Sequence, residues 1–247
     1  MDRMLFLAMN GAKHSEWQQA TTSNNLANIN TNGFKAELVS FRALRVIGDG
    51  APTRSYVVDN TIGHDMTQGP LQQTGNQDDF ALGSPGFFAV QAPDGNEAYT
   101  RAGGFVLDDT GMMRTKSGLP ILSDAGPMVI PVGTRAQVSA DGSVYSVPQS
   151  GADRTPTLVG KIKLVNPGDR AVYKGGDGLF RLNSGSPGDA DPNVHLAIGA
   201  LEGSNVNAVE SLVQMISHGR MYDMNTKLMT TADQDDRQAT QLLSLNG

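Results

Sequence analysis

Hydrophobic positions change their period twice along the chain. Between residues 3 and 31 they fall at Leu5, Ala8, Met9, Ala12, Leu26 and Ile29, a loosely helical spacing. Asn32-Gly33 follows as a stop signal, because Gly tolerates the left-handed conformation of a helix C-cap. From Val206 helical spacing returns at Val209, Leu212, Val213 and Ile216, then continues through Met224, Leu228, Met229, Ala232, Ala239, Leu242 and Leu243. Ser204 or Asn205 is the expected N-cap. About forty residues at 1.5 Å each predict a rod on the order of 60 Å long. Its apolar stripe wanders instead of keeping a strict heptad, which suits packing against several neighbours more than a two-stranded coiled coil. Between the ends, short apolar or alternating runs recur at Phe87–Val90, Phe105–Leu107, Met128–Val132, Val144–Val147, Leu158–Val165 and Leu179–Leu182. Turn signals at Asp94-Gly95, Ser117-Gly118, Asp141-Gly142 and Gly175-Gly176 separate them, the pattern of a β domain.

Proline and glycine sharpen this division. All 12 prolines lie between Pro52 and Pro192, so helix breakers are confined to the middle of the chain. The predicted fold class is mainly β with helical termini: a β-rich central domain, an irregular sandwich or barrel, inserted between N- and C-terminal α-helices that pack together. The expected divisions are an N-terminal assembly helix (1–33), an extended or β-hairpin connector (34–73), a β-rich domain (74–203) and a C-terminal assembly helix (204–247).

Residues 17–34 carry no charge, and Asn24, Asn25, Asn28, Asn30 and Asn32 crowd around Leu26, Ala27 and Ile29 within that run. A solvated face normally carries Lys and Glu, and a core face carries Leu and Val. An amide-rich surface can be buried only if its amides find partners, since an unpaired buried polar group costs about 1–3 kcal/mol. By itself the run fits either a frayed helix end or a contact surface.

Composition removes several alternatives. A net charge of −6 without a Lys/Arg-rich tract argues against nucleic-acid binding. The absence of cysteine excludes disulfides, thiolate metal sites and a Cys nucleophile. No apolar run approaches a membrane span, so no membrane insertion is expected. Met4–Met9 is too short for a signal-peptide core, which predicts export without a cleaved signal if the protein works outside the cytosol. His14, His64, His195 and His218 show no metal spacing. Gly160-Lys161 lacks the upstream Gly of a phosphate loop, and LGSPG and SGSPG lack the first Gly of a nucleophile elbow. Of the acidic clusters Asp78-Asp79, Asp108-Asp109 and Asp233/Asp235/Asp236, the last lies on the predicted helix without the Gly and Glu of a calcium loop and reads as a solvated face. A calcium site in the β-domain turns is the lesser alternative. No catalytic, cofactor or metal site is expected.

Four passages carry a family likeness. SNNLANINTNGFKAEL (Ser23–Leu38) resembles the N-terminal signature of bacterial flagellar rod, hook and hook-associated proteins. GALEGSNVNAVESLVQMI (Gly199–Ile216), followed by TTAD, resembles their C-terminal helix signature. AYTRAGGFVLDDTGMMRTKSGLPIL (Ala98–Leu122) and TGNQDDFALGSPGFFAV (Thr74–Val90) resemble the β core of the rod subgroup, with Gln77-Asp78-Asp79 more polar than that pattern. The short length, MDRMLFLAMNGA and SFRALRVIGDGAPTRSYVV fit the proximal part of the rod best. The distal rod is the runner-up, and the chain lacks room for a hook protein's larger insertion.

The resemblance implies terminal helices that polymerise into the inner tube of an axial filament. That filament is a drive shaft surrounding an export channel, with the β domain outside. Implied partners are copies of the chain, adjacent proximal and distal rod subunits, and the flagellar type III export machinery. The implied location is the periplasmic rod of the basal body. The expected assembly interface is Asn24, Asn25, Leu26, Ala27, Asn28, Ile29, Thr31, Asn32, Gly33 and Phe34 from the first end. From the second come Leu201, Glu202, Ser204, Asn205, Val206, Val209, Glu210, Val213 and Ile216. The asparagines, Asn30 included, are expected to pair across neighbouring helices and fix register. Two other classes compete: a secreted β-domain module binding peptidoglycan or another glycan, and a wall hydrolase, for which no carboxylate pair is selected.

Overall fold

The computed structural model describes residues 2–45, 55–149, 155–168 and 171–244. Residues 46–54, inside the expected connector, and 245–247, at the end of the expected C-terminal helix, lie outside them. The chain divides into two units: residues 1–29, 36–65 and 206–247 form one, and residues 30–35 and 66–205 form the other.

The first unit is built on two helices, α1 (Asp2–Ala27) and α2 (Ala208–Ser244), packed antiparallel along each other. Helix α2 starts two to three residues later than a Ser204 or Asn205 cap would place it. Asn207 is the cap: its Oδ1 accepts from Val209 N–H at 3.0 Å and Glu210 N–H at 3.3 Å. Asn205 is already committed elsewhere, its amide donating to Thr67 O at 3.2 Å. Gly219 lies within α2 and does not interrupt it. A two-stranded antiparallel ribbon, β1 (Glu37–Arg45) and β2 (Ser55–His64), completes the unit, with a bulge between Leu38 and Ser40. A bare ribbon is marginal in water, and this one is tied to α1. Asn25 Nδ2 donates to Glu37 O at 3.0 Å, and Glu37 N–H donates to Asn25 Oδ1 at 2.8 Å. His14 meets Phe41 edge-on at 5.1 Å.

The second unit is β throughout its described secondary structure. Its five-stranded antiparallel sheet runs Leu164–Val165, Phe87–Gln91, Glu97–Thr100, Phe180–Leu182, Val172–Lys174. Phe87–Val90 is a continuous apolar run because both faces of that strand are covered. Phe88 and Val90 enter the main core with Phe80, Phe105, Ile121, Ile130 and Val144, while Phe87 and Ala89 join Tyr99, Val165 and Phe180 on the other side. Phe88 and Phe105 meet edge-on at 5.1 Å. A three-stranded sheet, Thr134–Val138, Ser143–Pro148 and Thr157–Lys161, closes the main core.

Two of the expected runs differ. Met128–Val132 forms no strand: Pro127 and Pro131 bracket it, and its backbone makes separate bonds, Met128 N–H to Ile121 O and Ile130 N–H to Gly111 O. Leu158–Val165 splits in two, because Ile162 N–H turns aside to Gly142 O and Lys163 N–H to Leu122 O.

Candidate assembly surface

The seam between α1 and α2 is made of small and polar side chains. Ala8, Ala12, Ser15 and Thr22 are buried on α1, and Ser211 and Ala232 on α2, with His218 and Asn225 half-buried between them. Ala8, Ser15 and Thr22 recur every seven residues, as do Ser211, His218, Asn225 and Ala232. A seven-residue repeat keeps one seam facing a partner helix. The heptad is thus one of small and polar residues, and the larger apolar residues of the wandering stripe lie outside it. Small side chains let the backbones approach closely. At Gly11 a Cβ would stand 2.7 Å from Asn225 Oδ1.

The large apolar residues point away from this seam. On α2, Val209 (71 % exposed), Leu212 (49 %), Val213 (61 %) and Ile216 (58 %) occupy one face, and Met224 and Leu228 continue outward exposure. On α1, Met4, Leu5, Phe6, Leu7, Met9 and Trp17 are also exposed. Opposite faces of α2 thus carry opposite chemistry: Ser211 and His218 turn to α1, while Val209, Val213 and Ile216 turn to solvent. An isolated globular unit would invert that arrangement, and contiguous exposed apolar residues mark an interaction surface.

In the second unit the two chain segments leading to the helices meet at a neck. Gly33 N–H donates to Glu202 O at 2.8 Å, and Asn205 N–H to Phe34 O at 3.4 Å. Gly33 has φ of 70°, and a Cβ there would lie 2.4 Å from Arg101 C. Beneath these bonds sits a buried ion cluster. Glu202 accepts from Lys35 Nζ at 2.6 Å, from Arg101 Nη1 at 2.8 and 3.0 Å, and from Gly69 N–H at 3.1 Å. Lys35 also donates to Thr67 O at 2.6 Å, and Arg101 to Gly86 O at 2.9 Å and Ser84 O at 3.2 Å. The Lys35 and Glu202 side chains are fully buried, and Arg101 nearly so.

Residues 6–35 match the family described as flagella basal body rod protein. Residues 81–146 match the flagellar hook protein FlgE/F/G D1 domain, and residues 197–242 the flagellar basal body rod FlgEFG protein C-terminal. Across its whole length, and that of the relative, the chain is 39% identical over 252 residues to the flagellar basal-body rod protein FlgF of Escherichia coli (strain K12). The chain belongs to the flagellar basal-body rod protein family. It is also 38% identical over 252 residues to FlgF of Salmonella typhimurium, again with 100% of both chains covered. With FlgG of Buchnera aphidicola subsp. Schizaphis graminum it shares 33% over 260 residues, covering 96% of this chain and 98% of that one.

The three ions of the neck come one from each matched segment of this rod-family chain: Lys35, Arg101 and Glu202. Lys35 and Arg101 were not singled out from sequence. The available signal was a lone charge set among glycines and apolar residues, as in GFK, TRAGG and LEG.

The residues expected at the interface separate into three groups. Val209, Glu210, Val213 and Ile216 are exposed on α2, as are Asn24, Ala27 and Thr31 near the end of α1. Leu26, Asn28, Ile29, Asn32, Asn205 and Val206 are half-buried, and so is Asn25, whose amide is held by Glu37 within the chain. Asn28 donates to Asn24 Oδ1 at 2.9 Å. Gly33, Phe34, Leu201, Glu202 and Ser204 are buried in the neck, where their packing is intrachain.

Outside these features the titratable groups are committed to local structure. In the open groove lined by Asp94, Tyr99, Tyr173 and Arg181, Arg181 donates to both oxygens of Asp177 at 2.9 and 2.7 Å. The Arg181 guanidinium holds the Asp177 carboxyl below its ordinary range. The hydrogen bond from Arg114 does the same for Asp108, with further help from Thr110. Among the described residues no group of three or more His, Asp or Glu side chains could hold a metal ion.

Proposed function

We propose that this rod-family chain is a subunit of the proximal rod that polymerises through its terminal helices, with copies of itself and related rod subunits, into the torque-transmitting shaft around the export channel. Its place is the periplasmic section of the basal body, reached through the flagellar export apparatus. Its role is structural and requires no catalysis or cofactor. The observation that carries this reading is the outward apolar face of α2, left over after the helix pair has closed its own seam. A heterologous contact that does not close generates a helical filament. Burying the remaining exposed area of Val209, Leu212, Val213 and Ile216 contributes about 1 kcal/mol per residue, enough across four positions to make assembly strongly cooperative.

Ile216→Asp tests the reading. The variant monomer should keep the helicity and elution volume of the parent, while cells carrying it build no rod beyond this subunit and do not swim. Normal motility with Ile216→Asp and Val213→Asp combined would sink the assignment of this face to assembly.

A further inference from the structure

The seam between α1 and α2 holds little steric information about its own alignment. Ala8, Ser15 and Thr22 face a repeat of Ser211, His218, Asn225 and Ala232, and sliding one helix by seven residues, about 10.5 Å, again sets small side chains against small ones. Seams of large branched residues resist such a slip because each knob needs its own hole. Within the seam itself, one contact breaks the degeneracy.

The Asn225 carboxamide lies flat over Gly11. A Cβ at Gly11 would come within 2.7 Å of Oδ1, 3.0 Å of Cγ and 3.1 Å of Nδ2. Asn225 Nδ2 reaches Ser15 Oγ at 3.5 Å, and the Ser15 hydroxyl donates to Gly11 O at 3.0 Å. One repeat away from Gly11 stand Met4 in one direction and Gln18 in the other, each with a Cβ and a long side chain. A slipped pair therefore gives the carboxamide no seat and strands an amide in the seam.

We propose that Gly11, Ser15 and Asn225 form a register lock that selects one alignment of α1 against α2. Asn225 is a positioning residue: it acts on the outer surface through the helix that carries it. Val209, Val213 and Ile216 ride on the far side of α2, so a slip would displace them by a whole repeat relative to Trp17 and the exposed residues of α1. The lock thus sets the composite face offered to the next subunit. That last consequence rests on the assembly reading above, whereas the lock itself is a property of the single chain.

The absence of native cysteine makes register directly readable in the full-length monomer. Ala8→Cys/Ala232→Cys reports the native alignment by disulfide or short bis-maleimide cross-linking, and Ala8→Cys/Ala239→Cys reports a slip of one repeat. Adding Asn225→Ala should raise the ratio of slipped to native product about tenfold, as expected for losing one partnered seam amide. Gly11→Ala should do the same by unseating the carboxamide, and combining both substitutions should add nothing beyond Asn225→Ala alone. An unchanged ratio overturns the lock. So does a parallel fall of both products with loss of helicity, which would make Asn225 a general stabiliser. Slipped register with normal rod assembly would keep the lock and remove the assembly role of this face; native register with failed assembly would do the reverse.

Discussion

Replacing Glu202 by Gln changes one oxygen into an amide at nearly constant volume, yet it should be the most damaging single change in the β unit. The Glu202 carboxylate pairs with both Lys35 at 2.6 Å and Arg101 at 2.8 Å, where the two cations are almost wholly shielded from water. Removing one partner of a buried pair costs about 3–5 kcal/mol, because the charges left behind stay desolvated. The Gln amide group also turns N–H donors toward a site already supplied with donors from Lys35, Arg101 and Gly69. With a urea dependence of about 2 kcal/mol per molar, the unfolding midpoint should fall by about 2 M. Fluorescence of Trp17 reads the helix unit, and near-ultraviolet circular dichroism in a Tyr56→Phe/Tyr222→Phe background, followed at the tyrosine band, reads Tyr99, Tyr145 and Tyr173 of the β unit. An apolar replacement of the cluster, Lys35→Met/Arg101→Met/Glu202→Leu, should regain at least half of the loss, since it removes the stranded charges together. A midpoint lowered by less than about 0.5 M in Glu202→Gln would refute the reasoning, because the cations would then be solvated or otherwise paired.

Two further substitutions test other parts of the structure. Gly33→Ala should destabilise the β unit by about 3 kcal/mol, combining the left-handed backbone penalty with a methyl forced against the Arg101–Ala102 peptide. Gly118→Ala, with φ of 86° and nothing within 4 Å, should lose only about 1 kcal/mol, and equal losses in the two melts would contradict the close-approach argument. His218 in the helix seam has its pKa lowered from 6.5 by burial. The unfolded chain then binds more protons at mildly acidic pH, so helix-unit stability should fall as pH drops below about 6.5. His218→Gln should flatten that slope in Trp17-monitored melts, and an unaltered slope would locate the titration elsewhere.

Much of the fold was legible in the chain because period and punctuation agreed. Phe87–Val90, Phe105–Leu107 and Val144–Val147 are strands as expected, and the proline-free ends are helices. The misses share a physical cause: each depends on a partner distant in sequence. Asn205 is held by Thr67, 138 positions away, while Asn207 caps α2. Met128–Val132 makes single bonds to Ile121, Met113 and Gly111, with one isolated bridge to Met112, in place of a continuous ladder. The helix seam escaped notice because hydrophobicity was the signal sought, while Ser15, Thr22, Ser211 and Asn225 pack through smallness and hydrogen bonding. The same search did find Val209, Val213 and Ile216, because residues meant for a partner outside the chain look like core residues. At the neck, Glu202 drew attention within LEG, but its dependence on Lys35 and Arg101 spans 167 and 101 positions.

The neck also bears on how such a chain can change over generations. Entry and exit of the β unit are joined by two backbone bonds, Gly33 N–H to Glu202 O at 2.8 Å and Asn205 N–H to Phe34 O at 3.4 Å. Whatever lies between those points sends the chain back to where it left. Extra strands or a second lobe grafted into a distal loop would add little closure penalty, since that penalty grows only logarithmically with length. The helical hairpin can therefore be kept as a standard fitting while the attached body is enlarged, trimmed or exchanged, provided Lys35, Arg101 and Glu202 travel together.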